Sequence, residues 1–218
     1  IYYVKELEAP AGYVKDETPV KIDLGAGIPE KVAAQISERE ELELTVDSNG
    51  SNVMYLTVSD IQTTVEISKQ DVTDCAEIPG AKLTVFDEQE HIVDTWTSGE
   101  KPHSIRGLEP GHAYILREET APFGYVVAED VTFTVENTGE VQPVHMFDKH
   151  AMGQLRIEKR DKKTDQLLEG AHFELRDEDG SVLEELVTDK NGEAVSSVLE
   201  IATFANGRAG KEKTYTLV

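Results

Sequence analysis

The sequence ELEAPAGY (residues 6–13) returns as EETAPFGY (residues 118–125), so the pattern E-x-x-A-P-x-G-Y occurs twice in the chain. A motif that recurs in this way is typical of chains built from tandem structural units. Both copies place a Glu at the start and a Gly-Tyr pair at the end. The motif therefore predicts a repeated fold, and the flanking sequence should repeat with it.

Two further matches extend the repeat on either side of this motif. Residues 65–69 (VEISK) match residues 155–159 (LRIEK), and residues 56–60 (LTVSD) match residues 144–148 (VHMFD). The three sets follow one order, in which a strand ending in Lys comes first, E-x-x-A-P-x-G-Y follows, and a strand ending in Asp comes last. This order defines the boundaries of a unit.

Only residues 61–150 contain all three sets, so we predict one complete domain there, the middle unit. Residues 1–60, the first unit, are predicted to be the C-terminal part of an earlier domain. Residues 151–218, the third unit, are predicted to be the N-terminal part of a later one. The segment from Glu6 to Asp60 is longer than the segment from Glu118 to Asp148, which predicts an insertion near residues 25–48.

The local pattern predicts an all-β fold. Short alternating runs rich in Val, Ile, Thr and Tyr are separated by the turn pairs Asn49-Gly50, Asp179-Gly180 and Asn191-Gly192. Many short strands with Gly and Pro between them favour tandem antiparallel β-sandwiches. One exception is the segment 29–41 inside the insertion, where Pro29 is placed to begin a helix.

Composition excludes several classes of function. The 218 residues carry 43 acidic and 21 basic side chains, a net charge of −22. Binding to nucleic acid or to an anionic membrane surface requires basic patches, so neither is expected. No apolar run approaches the roughly 18 residues of a membrane helix. The chain begins without Met or a signal peptide, which suggests a mature product or a fragment.

Ionisable side chains recur on the apolar faces of the predicted strands. Side chains alternate between the two faces of a strand. By this alternation Lys69 shares a face with Ile67, Glu118 with Leu116, and Asp148 with Met146. The same alternation holds for Glu6, Asp60 and Lys159. We therefore expect these side chains to point inward.

Burial of a charge is expensive unless the group is paired or neutralised. It lowers the pKa of an amine and raises that of a carboxyl group, so a neutral amine beside protonated acids is expected. A neutral amine is a nucleophile and a second acid can move the protons. A single Lys at a strand end would ordinarily extend to solvent. Because all three residue types recur, the pattern favours an amide bond between Lys and Asp.

Other candidate sites are weaker. Cys75 is the only cysteine, no activating motif surrounds it, and we interpret it as a loop or packing residue. The histidines lack metal-binding spacing, and the acidic turn at residues 177–180 is better explained by a hairpin than by calcium, so no metal or cofactor is predicted. Trp96 is interpreted as a core or half-exposed strand residue rather than a ligand platform.

These residues resemble the CnaB domains, also called SpaA-type or prealbumin-like repeat domains, of Gram-positive pilins and surface adhesins. The resemblance rests on the K-x-D openings at Lys69 and Lys159, the Gly-Ala pairs at residues 80–81 and 170–171, E-x-x-A-P-x-G-Y, and the closing Asp strand. It implies a transthyretin-like, inverted immunoglobulin-type sandwich. It also implies a self-formed isopeptide bond with Lys69 as amine, Asp148 as acceptor and Glu118 as catalytic acid.

In the outer units the resemblance implies partial sites, with Glu6 and Asp60 in the first unit and Lys159 in the third. Asn is the commoner acceptor in the family, so with Asp here water would leave rather than ammonia. Some members have lost the bond.

The function implied is that of a stalk or backbone module at the Gram-positive cell surface, whose only chemistry is a single internal reaction. Its expected partners are neighbouring repeat units and other pilin subunits. The alternative is an adhesive module that binds host matrix protein or glycan, with the insertion near residues 25–48 as the first candidate surface. Turnover catalysis is disfavoured because no cleft or catalytic signature emerges. The complementary outer units also raise the hypothesis of head-to-tail self-association.

Overall fold

The computed structural model describes residues 1–22, 42–46 and 54–218. The predicted helix at 29–41 and most of the predicted insertion lie outside these residues. In the described part of the insertion, residues 42–46 form a strand. No helix within the described ranges is long and apolar enough to cross a membrane.

The first unit contains two antiparallel hairpin-like pairs. Its strands are β1 (Tyr2–Val4), β2 (Val20–Ile22), β3 (Leu42–Val46) and β4 (Met54–Val58). β1 pairs with β2 and β3 pairs with β4. A small cluster of Val20 and Leu42, packed against Ile22 and Leu56, forms its core.

The middle unit is a sandwich of two four-stranded sheets. Its strands are β5 (Thr64–Asp71), β6 (Lys82–Phe86), β7 (Ile92–Thr97), β8 (His103–Arg106), β9 (Ala113–Thr120), β10 (Tyr125–Val126), β11 (Val131–Thr134) and β12 (Val141–His150). One sheet has the order β10-β12-β5-β8 and the other β11-β9-β6-β7. The predicted all-β sandwich is confirmed.

Alternation along the strands supplies the core of this sandwich. Val65 and Ile67 of β5, Leu83 and Val85 of β6, and Leu116 of β9 are all at most 2% exposed and belong to one cluster. The neighbouring strands pair antiparallel with one exception. β5 and β12, the first and last strands of the unit, are parallel neighbours. The chain therefore enters and leaves the middle unit on adjacent strands.

The third unit repeats the front half of this arrangement. Its strands are β13 (Met152–Gly153), β14 (Arg156–Glu158), β15 (His172–Arg176), β16 (Val182–Val187), β17 (Glu193–Val195), β18 (Leu199–Glu200), β19 (Ala202–Ala205), β20 (Arg208–Glu212) and β21 (Thr216–Leu217). β14 pairs with β17 as β5 pairs with β8, and β15 pairs with β16 as β6 pairs with β7.

Side-chain hydrogen bonds confirm the correspondence between the two units. The Ser98 hydroxyl accepts a bond from the Ala81 amide and donates to the Ile78 carbonyl. Thr188 makes the same pair of bonds with Ala171 and Leu168. In each unit one buried hydroxyl ties the turn after the Lys strand to the end of the following hairpin.

Three further predictions concern Cys75, Trp96 and the turn at residues 177–180. Cys75 is an exposed loop residue with a φ of 58°. Trp96 is half-buried on β7, packs against the core and stacks on His103 at 4.2 Å between ring centroids. The turn at residues 177–180 joins β15 and β16, as the hairpin interpretation predicts.

Candidate cross-linking site

Three strands bring Lys69, Glu118 and Asp148 together inside the middle sandwich. Lys69 lies on β5, Glu118 on β9 of the opposite sheet, and Asp148 on β12. Their exposed fractions are 1%, 4% and 0%. All three occupy positions on the buried faces of their strands, as the alternation predicts.

The amine lies between the two carboxyl groups. The parallel register places Lys69 opposite Met146, two residues before Asp148 on the same face. The Nζ atom of Lys69 donates a hydrogen bond to Oδ1 of Asp148 and lies 3.2 Å from Oε2 of Glu118. Lys69 is therefore within reach of both acids without any exposure to solvent.

The backbone fixes the position of Glu118. The amide of Ala128 donates a 2.6 Å hydrogen bond to Oε2 of Glu118. In the first unit the amide of Asp16 donates a 2.7 Å bond to Oε2 of Glu6, the equivalent Glu of the repeated motif. In both motifs, therefore, the backbone amide ten positions after the Glu donates a hydrogen bond to its carboxylate. The repeat includes the bond that positions the acid.

The buried site makes the ionised form of Asp148 less favourable than it would be in water. Burial, the largest influence, raises the pKa of its carboxyl group from 3.8 to about 6, the Lys69 ammonium works in the opposite direction, and Glu118 raises the pKa further. Among the described residues, Oδ2 of Asp148 and Oε1 of Glu118 are buried without a hydrogen-bond partner. A buried carboxylate oxygen without a donor is costly, which favours a proton on Oδ2 of Asp148 relative to an exposed carboxyl group.

The partial sites of the two outer units differ in how far their side chains are buried. Glu6 and Asp60 are half-buried, and burial together with the charges of Glu6 and Asp16 raises the pKa of Asp60. Lys159 is exposed, and its ammonium forms no ion pair with a described residue. The inward orientation expected for Lys159 is therefore wrong. β14 ends at Glu158, before Lys159, and β17 is its only partner among the described strands.

A second buried polar cluster was not anticipated from the sequence. Oδ2 of Asp71 accepts 2.8 Å hydrogen bonds from the Tyr125 hydroxyl and from Nε2 of His150. Burial raises the pKa of Asp71, but these bonds and one from the Thr73 amide outweigh it and hold the pKa below its usual value. Asp71 is the Asp of K-x-D, and Tyr125 ends E-x-x-A-P-x-G-Y. The sequence pattern that could have revealed this cluster is therefore the presence of its members in two repeated motifs.

The described residues contain no group of three or more His, Cys, Asp or Glu side chains arranged to hold a metal ion. The cluster of Lys69, Glu118 and Asp148 offers the chemistry of its own side chains. Lys69 supplies an amine, Asp148 a carboxyl carbon, and Glu118 a nearby acid. Such a set is equipped for amide formation.

The chain resembles several solved structures. It covers 38% of the Bacillus anthracis TIE protein, with 99% of this chain aligned at 24% identity and a TM-score of 0.49. The major pilin subunit BcpA of Bacillus cereus aligns over 71% of this chain and 57% of its own, at 15% identity and a TM-score of 0.45. A C-terminal fragment of the pilus adhesin SpaC from Lactobacillus rhamnosus GG aligns over 68% and 76%, at 15% identity and a TM-score of 0.39.

Among curated proteins, none matches the chain. The profile of the SpaA prealbumin-like fold domain matches residues 63–150 and again residues 153–205. These two ranges together exceed half of the chain. They also coincide with the middle unit and most of the third unit, the two parts that share a strand order. The chain belongs to the SpaA family of prealbumin-like fold domains.

Proposed function

We propose that this chain is a load-bearing stalk segment of a Gram-positive surface pilin or adhesin, and that Lys69 and Asp148 are joined in it by an isopeptide bond. The observation that carries the proposal is the placement of Lys69 between Asp148 and Glu118 in a sandwich interior closed to solvent. Membership of the prealbumin-like family supports the structural role.

The reaction requires no external reagent. A proton moves from the Lys69 ammonium to the Asp148 carboxylate, and the neutral amine attacks the carboxyl carbon of Asp148. The new C–N bond forms, one carboxyl oxygen leaves, and the second amine proton departs with it through Glu118. An ammonium and a carboxylate thus become one amide and one water. Each chain reacts once, so the site is not a turnover enzyme.

The unpartnered oxygen atoms suit these roles. Oδ1 of Asp148 accepts the hydrogen bond from Lys69, while Oδ2 has no partner among the described residues. Oδ2 is therefore the oxygen that can carry a proton and leave. Oε2 of Glu118 faces Lys69, and its position is fixed by the Ala128 amide. The fixed acid can pass a proton between the amine and the leaving oxygen.

Topology gives the bond a mechanical purpose. β5 and β12 are parallel neighbours, and the chain enters on the first and leaves on the second. A bond from Lys69 to Asp148 carries tension directly between them. Lys69 and Asp148 are 79 positions apart, and the residues between them then lie outside the load path. A module of this kind resists extension where no disulfide is available, since Cys75 is the only cysteine.

The same proposal places the chain outside the cell, on the Gram-positive surface, with neighbouring repeat units and other pilin subunits as partners. In this proposal Glu6 and Asp60 receive the Lys159 amine of another copy. Lys159 lacks a carboxyl partner among the described residues. Head-to-tail association of copies is therefore part of the proposal, and size-exclusion chromatography across a range of protein concentrations tests it.

Single-molecule extension tests the stalk function. The chain is held at its two ends, pulled until it unfolds, and the gain in contour length is recorded. In the linked chain, the residues between Lys69 and Asp148 should never contribute to the extension. Lys69→Ala should restore that missing length. A wild-type chain that extends fully would contradict the proposed load path.

A further inference from the structure

The repeated motif also makes the contact between consecutive units. The amide of Ala151, three residues after Asp148, donates a 2.6 Å hydrogen bond to the carbonyl of Gly124. The amide of Thr63, three residues after Asp60, donates a 3.1 Å bond to the carbonyl of Gly12. Gly12 and Gly124 are the equivalent glycines of E-x-x-A-P-x-G-Y. The same bond therefore forms at both unit boundaries.

The strand pairing around these bonds repeats as well. Tyr13 bridges to Gln62 at the first boundary, and Tyr125 pairs with His150 at the second. We call residues 9–12 and 121–124 the docking turns. Each docking turn lies directly beside the segment through which the chain passes into the next unit.

The next unit packs onto the docking turn at its glycine. A Cβ atom on Gly12 would lie 2.3 Å from the carbonyl oxygen of Gly107 in the middle unit. A Cβ atom on Gly124 would lie 2.5 Å from Cβ of Ala209 and 3.0 Å from the ring of Phe204 in the third unit. The distances of 2.3 and 2.5 Å are too short for a Cβ atom, so the next unit leaves no room for a side chain at either glycine.

The contacting residues come from corresponding parts of the two units. Gly107 lies in the connection between β8 and β9. Ala209 and Phe204 lie in the connection between β17 and β21, which is longer and carries the β19–β20 hairpin. Since β17 corresponds to β8, the same connection of each unit reaches back to the docking turn of the unit before it.

A left-handed backbone alone does not explain the two glycines. Gly12 and Gly124 have φ values of 80° and 89°, and Gly111 has a similar φ of 82°. A Cβ atom on Gly111, however, would have no atom of the described residues within 4 Å. Close approach by another unit therefore distinguishes Gly12 and Gly124 from a glycine needed only for its turn.

The second boundary has additional contacts. The His150 ring stacks on Phe204 with a centroid distance of 3.6 Å and an angle of 5° between the ring planes. Nε2 of the same ring is hydrogen-bonded to Asp71. Arg208 forms an ion pair with Glu100 of the middle unit. Phe204 and Arg208, on the β19–β20 hairpin, thus both contact the middle unit.

We propose that the docking turn of each unit is an interaction surface for the β8–β9 connection, or its longer counterpart, of the next unit, and that Gly12 and Gly124 determine the angle between consecutive units. The partner is the following unit of the same chain. This inference goes beyond the cross-link, because none of these contacts involves Lys69, Glu118 or Asp148. It predicts a stalk in which the angle between consecutive units is fixed at every unit boundary.

Spin-label distances test this inference in the full chain. The background is Cys75→Ser, with labels at Gln89→Cys in the middle unit and Lys190→Cys in the third, both exposed turn positions. Double electron–electron resonance then gives the distribution of distances between the labels. We expect a narrow distribution that shifts and broadens in Gly124→Ala, because Ala at position 124 displaces the hairpin.

Gly170→Ala is the matched control, because Gly170 has a similar φ of 76°, a Cβ atom there would meet no described atom within 4 Å, and the residue lies outside both contacting surfaces, so the distribution should stay narrow. Phe204→Ala removes the partner and leaves the docking turn intact, so it should broaden the distribution too. Circular dichroism establishes that each variant is folded. Unchanged distributions in both Gly124→Ala and Phe204→Ala, or equal broadening in Gly170→Ala, would overturn the inference. Neither outcome would bear on the bond at Lys69.

Discussion

The Nζ atom of Lys69 lies 3.2 Å from Oε2 of Glu118, a residue of the opposite sheet, and both side chains are withdrawn from solvent. The two sheets of the middle unit therefore meet at a polar contact inside an apolar core. Such a contact is expensive to bury unless it is neutralised. Condensation of the amine with Asp148 removes one charge of each sign, and this is the physical reason to expect the bond.

Replacement of the amine should abolish the bond and lower stability. Lys69→Met keeps an unbranched apolar stem in the core but supplies no nucleophile. By analogy with a disulfide closing a loop of this length, the bond contributes about 4 kcal/mol through the unfolded state. We expect a clearly lower melting temperature in calorimetry. The mass of the variant should equal the mass calculated from its sequence, with no loss of water.

Lys149→Met serves as the control, because Lys149 is exposed on the same β12 strand that carries Asp148. It should keep the melting temperature of the wild type. Equal melting temperatures for Lys69→Met, Lys149→Met and wild type would show that Lys69 carries no stabilising link.

Removal of the acid should slow the reaction while both reacting groups remain. General acid–base catalysis contributes roughly 10²–10⁴-fold to a rate. Glu118→Ala should therefore lose water more slowly by about that factor after refolding from denaturant, as followed by mass spectrometry. Glu119→Ala, at the exposed neighbouring position, should react like the wild type. If Glu118→Ala links as fast as Glu119→Ala, Glu118 is not the proton carrier.

An amide acceptor should give the same product. In Asp148→Asn the leaving group is ammonia instead of water, but the bond formed between Lys69 and residue 148 is identical. The final mass of this variant should therefore equal that of the linked wild type. A final mass that corresponds to the unreacted variant would mean that the Asp148 carboxyl group itself is needed for the reaction.

The repeated buried hydroxyl should be important for stability. Ser98 satisfies the amide of Ala81 and the carbonyl of Ile78, and loss of both bonds costs about 1–3 kcal/mol. In a Lys69→Met background, which unfolds without the cross-link, Ser98→Ala should lower the urea midpoint. Ser104→Ala, on the exposed face of β8, should leave it unchanged. A midpoint unaffected by Ser98→Ala would contradict this role.

Asp71 should make stability depend on pH at the acidic end. Its folded pKa lies below its unfolded value, so its contribution is present at neutral pH and is lost as the pH falls below about 4. Asp71→Asn should remove this acid-dependent loss and lower stability at pH 7 by roughly 1.5–3 kcal/mol, the value of hydrogen bonds to a charged group.

Urea unfolding at a series of pH values measures this effect, again in the Lys69→Met background. Asp74→Asn is the control, because Asp74 is exposed and its side chain accepts a bond from the Ala76 amide rather than from a member of the Asp71 cluster. Parallel pH curves for Asp71→Asn and its background would show that the Asp71 cluster does not titrate as described.

Local patterns were enough to predict part of this molecule. Alternation along β5, β9 and β12 placed Lys69, Glu118 and Asp148 on buried faces, and the repeated Lys strand and Gly-Ala pair aligned the middle and third units. The Asp71–His150–Tyr125 cluster joins three separate elements, so no single strand pattern reveals it. The β19–β20 hairpin is an addition to the third unit, and nothing in the middle unit corresponds to Phe204. The exposure of Lys159 depends on which strands cover β14, a tertiary property.

The measurement that tests the central claim most directly is the intact mass of the purified chain, followed by tandem mass spectrometry of its proteolytic peptides. The account predicts a mass lower than that of the sequence by one water, and a branched peptide in which the Lys69 side chain is joined to Asp148. A chain with its full mass, and separate linear peptides containing Lys69 and Asp148, would contradict it.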